Sequence, residues 1–212
     1  MLSRFVFGCA AAVALGACQR APTPVSLMPT AVAQPTDAPV PPAPSPTPTP
    51  TPAPLKLPLV APHILVSKSK RQLELYADGR LVRTYAVALG TSPVEDKERQ
   101  GDRRTPEGDF YVCMKNDRSQ FYLSLGLSYP NEEDAARGLR DGLITQAQHD
   151  RIVRAIQRQQ RPPWDTALGG EIMLHGGGTG TDWTWGCVAL ANEHIKELFD
   201  AIPLGTPVRI EH

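Results

Sequence analysis

The sequence carries no excess of either charge: 22 basic and 22 acidic side chains balance over 212 residues. No overall field therefore draws the chain to nucleic acid or to an anionic surface. Long apolar runs are missing too. The stretch from Phe5 to Leu15 falls well short of the roughly 20 residues that a membrane-spanning helix requires. Histidine is sparse and scattered: His63, His149, His194 and His212 show no metal-ligand spacing, and a zinc site needs three or four ligands. Cysteine occurs only at positions 9, 18, 113 and 187.

Three regions are visible. Residues 1–18, MLSRFVFGCAAAVALGAC, combine a basic start at Arg4 with an apolar run and small residues, the pattern of a secretory signal peptide. Its end, Leu15-Gly16-Ala17-Cys18, resembles the lipobox of bacterial lipoproteins, which implies a lipidated Cys18 as the first mature residue and attachment to a membrane facing the periplasm. Gln19 is not the aspartate associated with inner-membrane retention in enteric bacteria, which favours the outer membrane. Residues 19–61 form the second region. Fifteen of the 22 prolines lie between Pro22 and Pro62, among Ala, Thr and Ser. Such a segment lacks backbone donors and apolar mass, so a disordered tether is expected.

Residues 62–212 remain as the folding unit. His63 to Val66 and Gln72 to Tyr76 read as strands, Asp78-Gly79 as a hairpin turn, and Arg80 to Leu89 as a third strand. Gly108 to Lys115, Glu171 to His175 and Pro207 to Ile210 are further strands, and residues 90–105 a polar loop. The period changes between Asn131 and Gln160: Glu132 to Arg140 is helical, Asp141-Gly142 ends it, and Thr145 caps a second helix carrying Ile152, Val153 and Ile156 on one face. A last helix covers Asn192 to Ala201. The expectation is a mainly β, α+β domain with a helical hairpin inserted at 131–160.

Chemistry concentrates in Leu174 to Leu190, LHGGGTGTDWTWGCVAL. Its glycines lack the following lysine of a phosphate-binding loop. His175 and Cys187 supply only two ligands, too few for zinc. A thiol is a nucleophile as thiolate, and a histidine can supply the base; Gly186 would permit close substrate approach, and backbone amides near Cys187 could stabilise an oxyanion. A structural cysteine in a tight turn is the competing reading. In an oxidising compartment Cys113 and Cys187 could also pair, although Cys113, within FYVCM, fits a buried inert thiol equally well.

Three segments in order, Thr105-Pro106-Glu107-Gly108-Asp109-Phe110, Ile172-Met173-Leu174-His175-Gly176, and Thr184-Trp185-Gly186-Cys187-Val188-Ala189-Leu190, resemble the YkuD-type L,D-transpeptidases, in particular their YafK-like branch. The resemblance spans His63 to Ile210. It implies a β-rich catalytic domain acting on peptidoglycan stem peptides without metal or organic cofactor. By the same resemblance, Cys187 matches the nucleophile, His175 the general base and Gly176 the residue whose carbonyl orients it, while Gly186, Thr184 and Trp185 are substrate or oxyanion positions. Trp185 and Ala189 depart from the family, standing where His and a polar Arg or Asn are common. The implied reaction is acyl transfer from a tetrapeptide stem, giving 3-3 cross-links or attaching a lysine of an envelope lipoprotein. The alternatives are an L,D-specific hydrolase or carboxypeptidase, and a non-catalytic lipid-anchored wall-binding protein.

Overall fold

The computed structural model describes residues 53–212; the signal-peptide and lipobox segment and most of the proline-rich segment lie outside the described residues. Eight strands and three helices follow in the order β1 (His63–Ser67), β2 (Gln72–Ala77), β3 (Arg80–Ala86), β4 (Gly108–Ser119), β5 (Tyr122–Leu127), α1 (Glu132–Arg140), α2 (Gln146–Gln157), β6 (Met173–His175), β7 (Val188–Ala189), α3 (Asn192–Ala201) and β8 (Pro207–Glu211). The strands form one mixed sheet in the order β3-β2-β1-β8-β4-β5-β6-β7. The mainly β, α+β class and the helical insert between β5 and β6 are both present.

Alternation in β1 and β2 sends Ile64, Val66, Leu73 and Leu75 to one face, where they are buried with Val208 and Ile210 of β8 and Leu174 of β6. Removing one such leucine to alanine costs about 2–5 kcal/mol. The run expected to continue as strand to Leu89 instead leaves β2 after Ala86. It then changes partner: Ala88 exchanges both backbone hydrogen bonds with Ala189 of β7 at 2.9 and 2.8 Å. This contact links the chain after β3 to the opposite end of the sheet.

Two strands were not expected. β5 contains Ser124 and Gly126 and is placed by pairing rather than propensity, with Ser124 opposite His175 and Leu125 opposite Leu174. β7 is only Val188–Ala189 and is too short to leave a periodic signal. Residues 53–60 also depart from the tether expectation. Leu55 and Leu59 supply apolar mass that the preceding Pro-Ala-Thr sequence lacks, and they pack on the core, while the Asp78 amide donates to the Val60 carbonyl at 2.7 Å.

The insert has its own small core of Ala135, Ile144, Ile152 and Leu168, with Ile156 beside it. Both helices start with capping boxes, Asn131 with Asp134 and Thr145 with Gln148. Arg137 donates to Asp96 at 2.8 Å and to the Lys97 carbonyl at 2.6 Å. The Gln100 amide donates to Ala167 at 2.8 Å. These bonds tie the insert and the polar loop to each other.

Candidate active site

His175 ends β6, whose parallel partner β7 places Leu174 opposite Val188 and His175 opposite Ala189. Leu174, Val188 and Leu190 are core residues. Since side chains alternate, His175 and Ala189 belong to the other face, and Cys187, two residues before Ala189, is in phase with them. Short parallel pairing thus sets a histidine and a cysteine, twelve positions apart in sequence, on the same face of adjoining segments.

The imidazole is fixed on three sides. Its Nδ1 lies 2.6 Å from the Gly176 carbonyl oxygen. A carbonyl only accepts, so Nδ1 carries the proton and Nε2 holds the free lone pair. Phe121, from the β4–β5 turn, stacks on the ring at 4.6 Å, and Trp183 meets it edge-on at 5.4 Å. His175 is 2% exposed, and this burial pulls its pKa below the usual histidine value, against the opposing pull of the Gly176 hydrogen bond.

Cys187 is part-exposed, and its Sγ donates to the Glu171 carbonyl at 3.4 Å. Burial pushes the thiol up to about 11 despite a hydrogen bond from the Met173 backbone that favours the thiolate. The resting pair is therefore neutral imidazole and neutral thiol, the form in which histidine can accept the sulfur's proton. Glu171 adopts a positive φ of 57°. That left-handed residue delays the strand, so β6 begins at Met173 rather than at the expected Glu171, and it leaves its carbonyl within reach of the sulfur.

Thr184 organises the turn before the cysteine. Its hydroxyl donates to the Cys187 carbonyl at 2.7 Å and accepts the Gly186 amide at 3.2 Å. The Gly186 amide, expected among oxyanion donors, is thus already engaged. The close approach expected of substrate at Gly186 is made instead by the chain itself: with φ 127°, an added Cβ would stand 2.7 Å from the Arg104 carbonyl and 3.2 Å from Ile172. The amides after Cys187 belong to β7, and α3 begins only at Asn192.

The two tryptophans have separated roles. Trp183 is part of the histidine's packing and donates to the Gly178 carbonyl at 3.1 Å, whereas Trp185 is 78% exposed with the Arg103 guanidinium 5.8 Å from its ring. Arg104 is held by Glu95 and Glu98 at 3.1 and 3.4 Å. Tyr129 lies at the strand-to-helix junction, fully buried, with its hydroxyl on the Leu168 carbonyl at 3.0 Å; it lines no groove. Cys113 and Cys187 are both free, so the disulfide alternative is not realised; burial pushes Cys113 up to about 11. Among the described residues, no group of three or more His, Cys, Asp or Glu could hold a metal.

Several supporting residues gave no local signal. Asp182 takes a bidentate grip from Arg71, at 2.6 to 3.1 Å, and also accepts the Leu89 amide at 2.8 Å. It ties the loop between His175 and Cys187 to the chain leaving β3. Asn192 accepts the Gly177 amide at 3.0 Å. An added Cβ on Gly176 would strike Asn192 and the Phe121 carbonyl, so that residue is glycine for lack of room. Phe121 and Asp182 lie far in sequence from the ring and strand they support, which is why spacing does not reveal them.

Comparison with known proteins agrees with this architecture. Residues 61–210 match the family model of the YkuD L,D-transpeptidase catalytic domain. YafK of Escherichia coli (strain K12), provisionally named an L,D-transpeptidase, is 25% identical over 147 residues, covering 66% of this chain and 46% of YafK. YqjB of Bacillus subtilis (strain 168), provisionally named likewise, is 22% identical over 151 residues, 70% of each chain. The chain thus spans about half the length of YafK. A crystal structure of the helical cell shape determining protein Pgp2 from Campylobacter jejuni, a point mutant, shares the fold with a TM-score of 0.51 at 21% identity, covering 72% of this chain and 47% of that one. With its three motifs in order, its sheet and a family match over most of its length, the chain belongs to the YkuD family of L,D-transpeptidase catalytic domains.

Proposed function

We propose that this domain is a peptidoglycan L,D-transpeptidase that works through a cysteine acyl-enzyme. The observation that carries the reading is the committed tautomer of His175: with Nδ1–H held by Gly176, only Nε2 is left to exchange protons on the face shared with Cys187. Nε2 takes the thiol proton as sulfur attacks the carbonyl on the L-centre of diaminopimelate in a tetrapeptide stem. The terminal D-alanine leaves as an amine, carrying the proton returned by His175, and a thioester remains on Cys187. An acceptor amine then attacks the thioester, gives its proton to Nε2, and forms the new amide as sulfur leaves. A second stem as acceptor yields a 3-3 cross-link; a lysine of an envelope lipoprotein yields a protein anchor.

Trp185, exposed two residues before Cys187, offers an aromatic surface suited to covering a bound stem and keeping water from the thioester. Ala189 is fully buried against Ala88, so this position does not meet substrate as a polar residue there would. Lipidation at Cys18 would hold the chemistry at the periplasmic side of a membrane.

Incubation of the purified chain with disaccharide-tetrapeptide should yield 3-3 dimers by mass spectrometry and a thioester adduct on the peptide containing Cys187. Cys187→Ala should give neither. Dimers surviving in that variant would refute the mechanism, and shortened monomers without dimers would reassign the same thioester chemistry to hydrolysis.

A further inference from the structure

Helix α2 carries Arg151 and Arg154 and is capped by Arg158, three and four residues apart, the spacing that stacks side chains on one helical face; Arg161 follows in the chain after the helix. With Trp164 and Gln160 they line a groove of about 340 Å³. Arg161 lies over the Trp164 ring at 4.6 Å, which holds its planar guanidinium in a defined orientation. Arg151 is paired with Asp165 at 3.0 Å, and Asp150, one residue before Arg151, is bonded to Gln146 and His149. One of the four guanidinium groups is thus paired with a carboxylate, and the groove lining itself holds no acidic residue. The exposed side chains of Arg154 and Arg158 have no hydrogen-bond or ion-pair partner among the described residues.

The groove is connected to the candidate active site through the chain at Gly170 and Glu171. Its Trp164 ring lies against Gly170, where an added Cβ would strike it, and the next residue, Glu171, receives the Cys187 thiol. The groove wall and the carbonyl that receives the thiol thus lie on neighbouring parts of one chain segment.

We propose that this arginine groove binds the free carboxylates of peptidoglycan stem peptides, holding the polymer while one stem reaches Cys187. The proposal rests on the transpeptidase reading for its ligand. Guanidinium forks match carboxylates in geometry as well as charge, and a wall polymer presents such groups repeatedly along one strand. Binding here adds retention without taking part in bond making.

The test is sedimentation of the full chain with purified sacculi. Replacing both exposed arginines, Arg154→Gln and Arg158→Gln, is expected to lower the bound fraction about fivefold or more at low salt. Modification of Cys187 by a small acylating thiol reagent should keep its parental rate. With the unsubstituted protein, sacculi whose carboxyl groups have been amidated should sediment it about fivefold less. Equal sedimentation of parent and double variant overturns the proposal, as does undiminished binding to amidated sacculi. A loss seen only with phosphatidylglycerol vesicles overturns it in favour of lipid phosphate. Sedimentation needs no turnover, so a negative transpeptidase assay with intact sacculus binding would reject the activity and leave the groove, whereas the converse would reject the groove alone.

Discussion

His175 donates its Nδ1 proton to the carbonyl of Gly176, its own neighbour, at 2.6 Å. A strand end and the first residue of the following turn thus fix the tautomer without help from a distant carboxylate, and the absent Cβ of Gly176 lets Asn192 and Phe121 close around them. The base is oriented by backbone, so it gains direction but little added basicity.

One consequence is a pH profile. Burial dominates both shifts, raising Cys187 to about 11 and lowering His175. Both changes favour the neutral pair, so thiolate accumulates only as pH rises. The rate of iodoacetamide modification of Cys187 should climb continuously from about pH 6 to about pH 10. A plateau already reached below neutrality would mean a thiolate-imidazolium ion pair and contradict the assignment.

Replacing the base should separate chemistry from binding. His175→Gln removes the group at Nε2 that moves the proton, and kcat is expected to fall about 10²- to 10⁴-fold with little change in KM. Steady-state kinetics on a tetrapeptide donor would decide; a change confined to KM would mark His175 as a binding residue.

Gly186→Ala meets two obstacles, a φ of 127° and the Arg104 carbonyl 2.7 Å from the new methyl group. A stability loss on the order of 1–3 kcal/mol is expected, with loss of thioester formation because Thr184 can no longer hold the turn. Thermal unfolding and mass spectrometry of the acyl-enzyme read the two effects separately. Unchanged acylation would show that the turn tolerates displacement.

Asp182→Asn keeps an acceptor for the Leu89 amide and removes the charge gripped by Arg71. The half-exposed ion pair limits the expected loss to about 1–2 kcal/mol, smaller at high salt. Denaturant unfolding at two ionic strengths measures it; insensitivity to salt would count against a charge-based tie.

Cys18→Ser tests the anchor apart from the catalytic domain. The substituted protein should move from the membrane to the soluble fraction on cell fractionation while its thioester formation stays unchanged. Retention on the membrane would argue against lipidation at Cys18.

Much of the fold is legible where one local rule suffices. The alternation of Gln72 to Tyr76, the Asp78-Gly79 turn and the Thr145 cap each reflect contacts between near neighbours, and the structure has the elements where those rules put them. β5 and β7 escape such rules. Gly126 and Ser124 weaken the strand propensity of one, and two residues cannot show a period in the other. Tyr129 shows the same limit: its burial and its bond to Leu168 come from packing against the distant insert, which no neighbouring residue announces.

By itself the sequence determined the residue chemistry and the order of the motifs, because a histidine, a glycine pair and a cysteine keep their identities in any fold. It also set the helix caps and turns, since these are satisfied within a few residues. Only the tertiary structure decided how the groups meet: that Ala189 faces His175, that Phe121 and Trp183 enclose the imidazole, that Gly186 is crowded by Arg104, and that Asp182 anchors the loop to Arg71. Each of these contacts joins residues on different strands or loops. Sheet register and core packing bring them together, and neither is written in any short stretch of the chain.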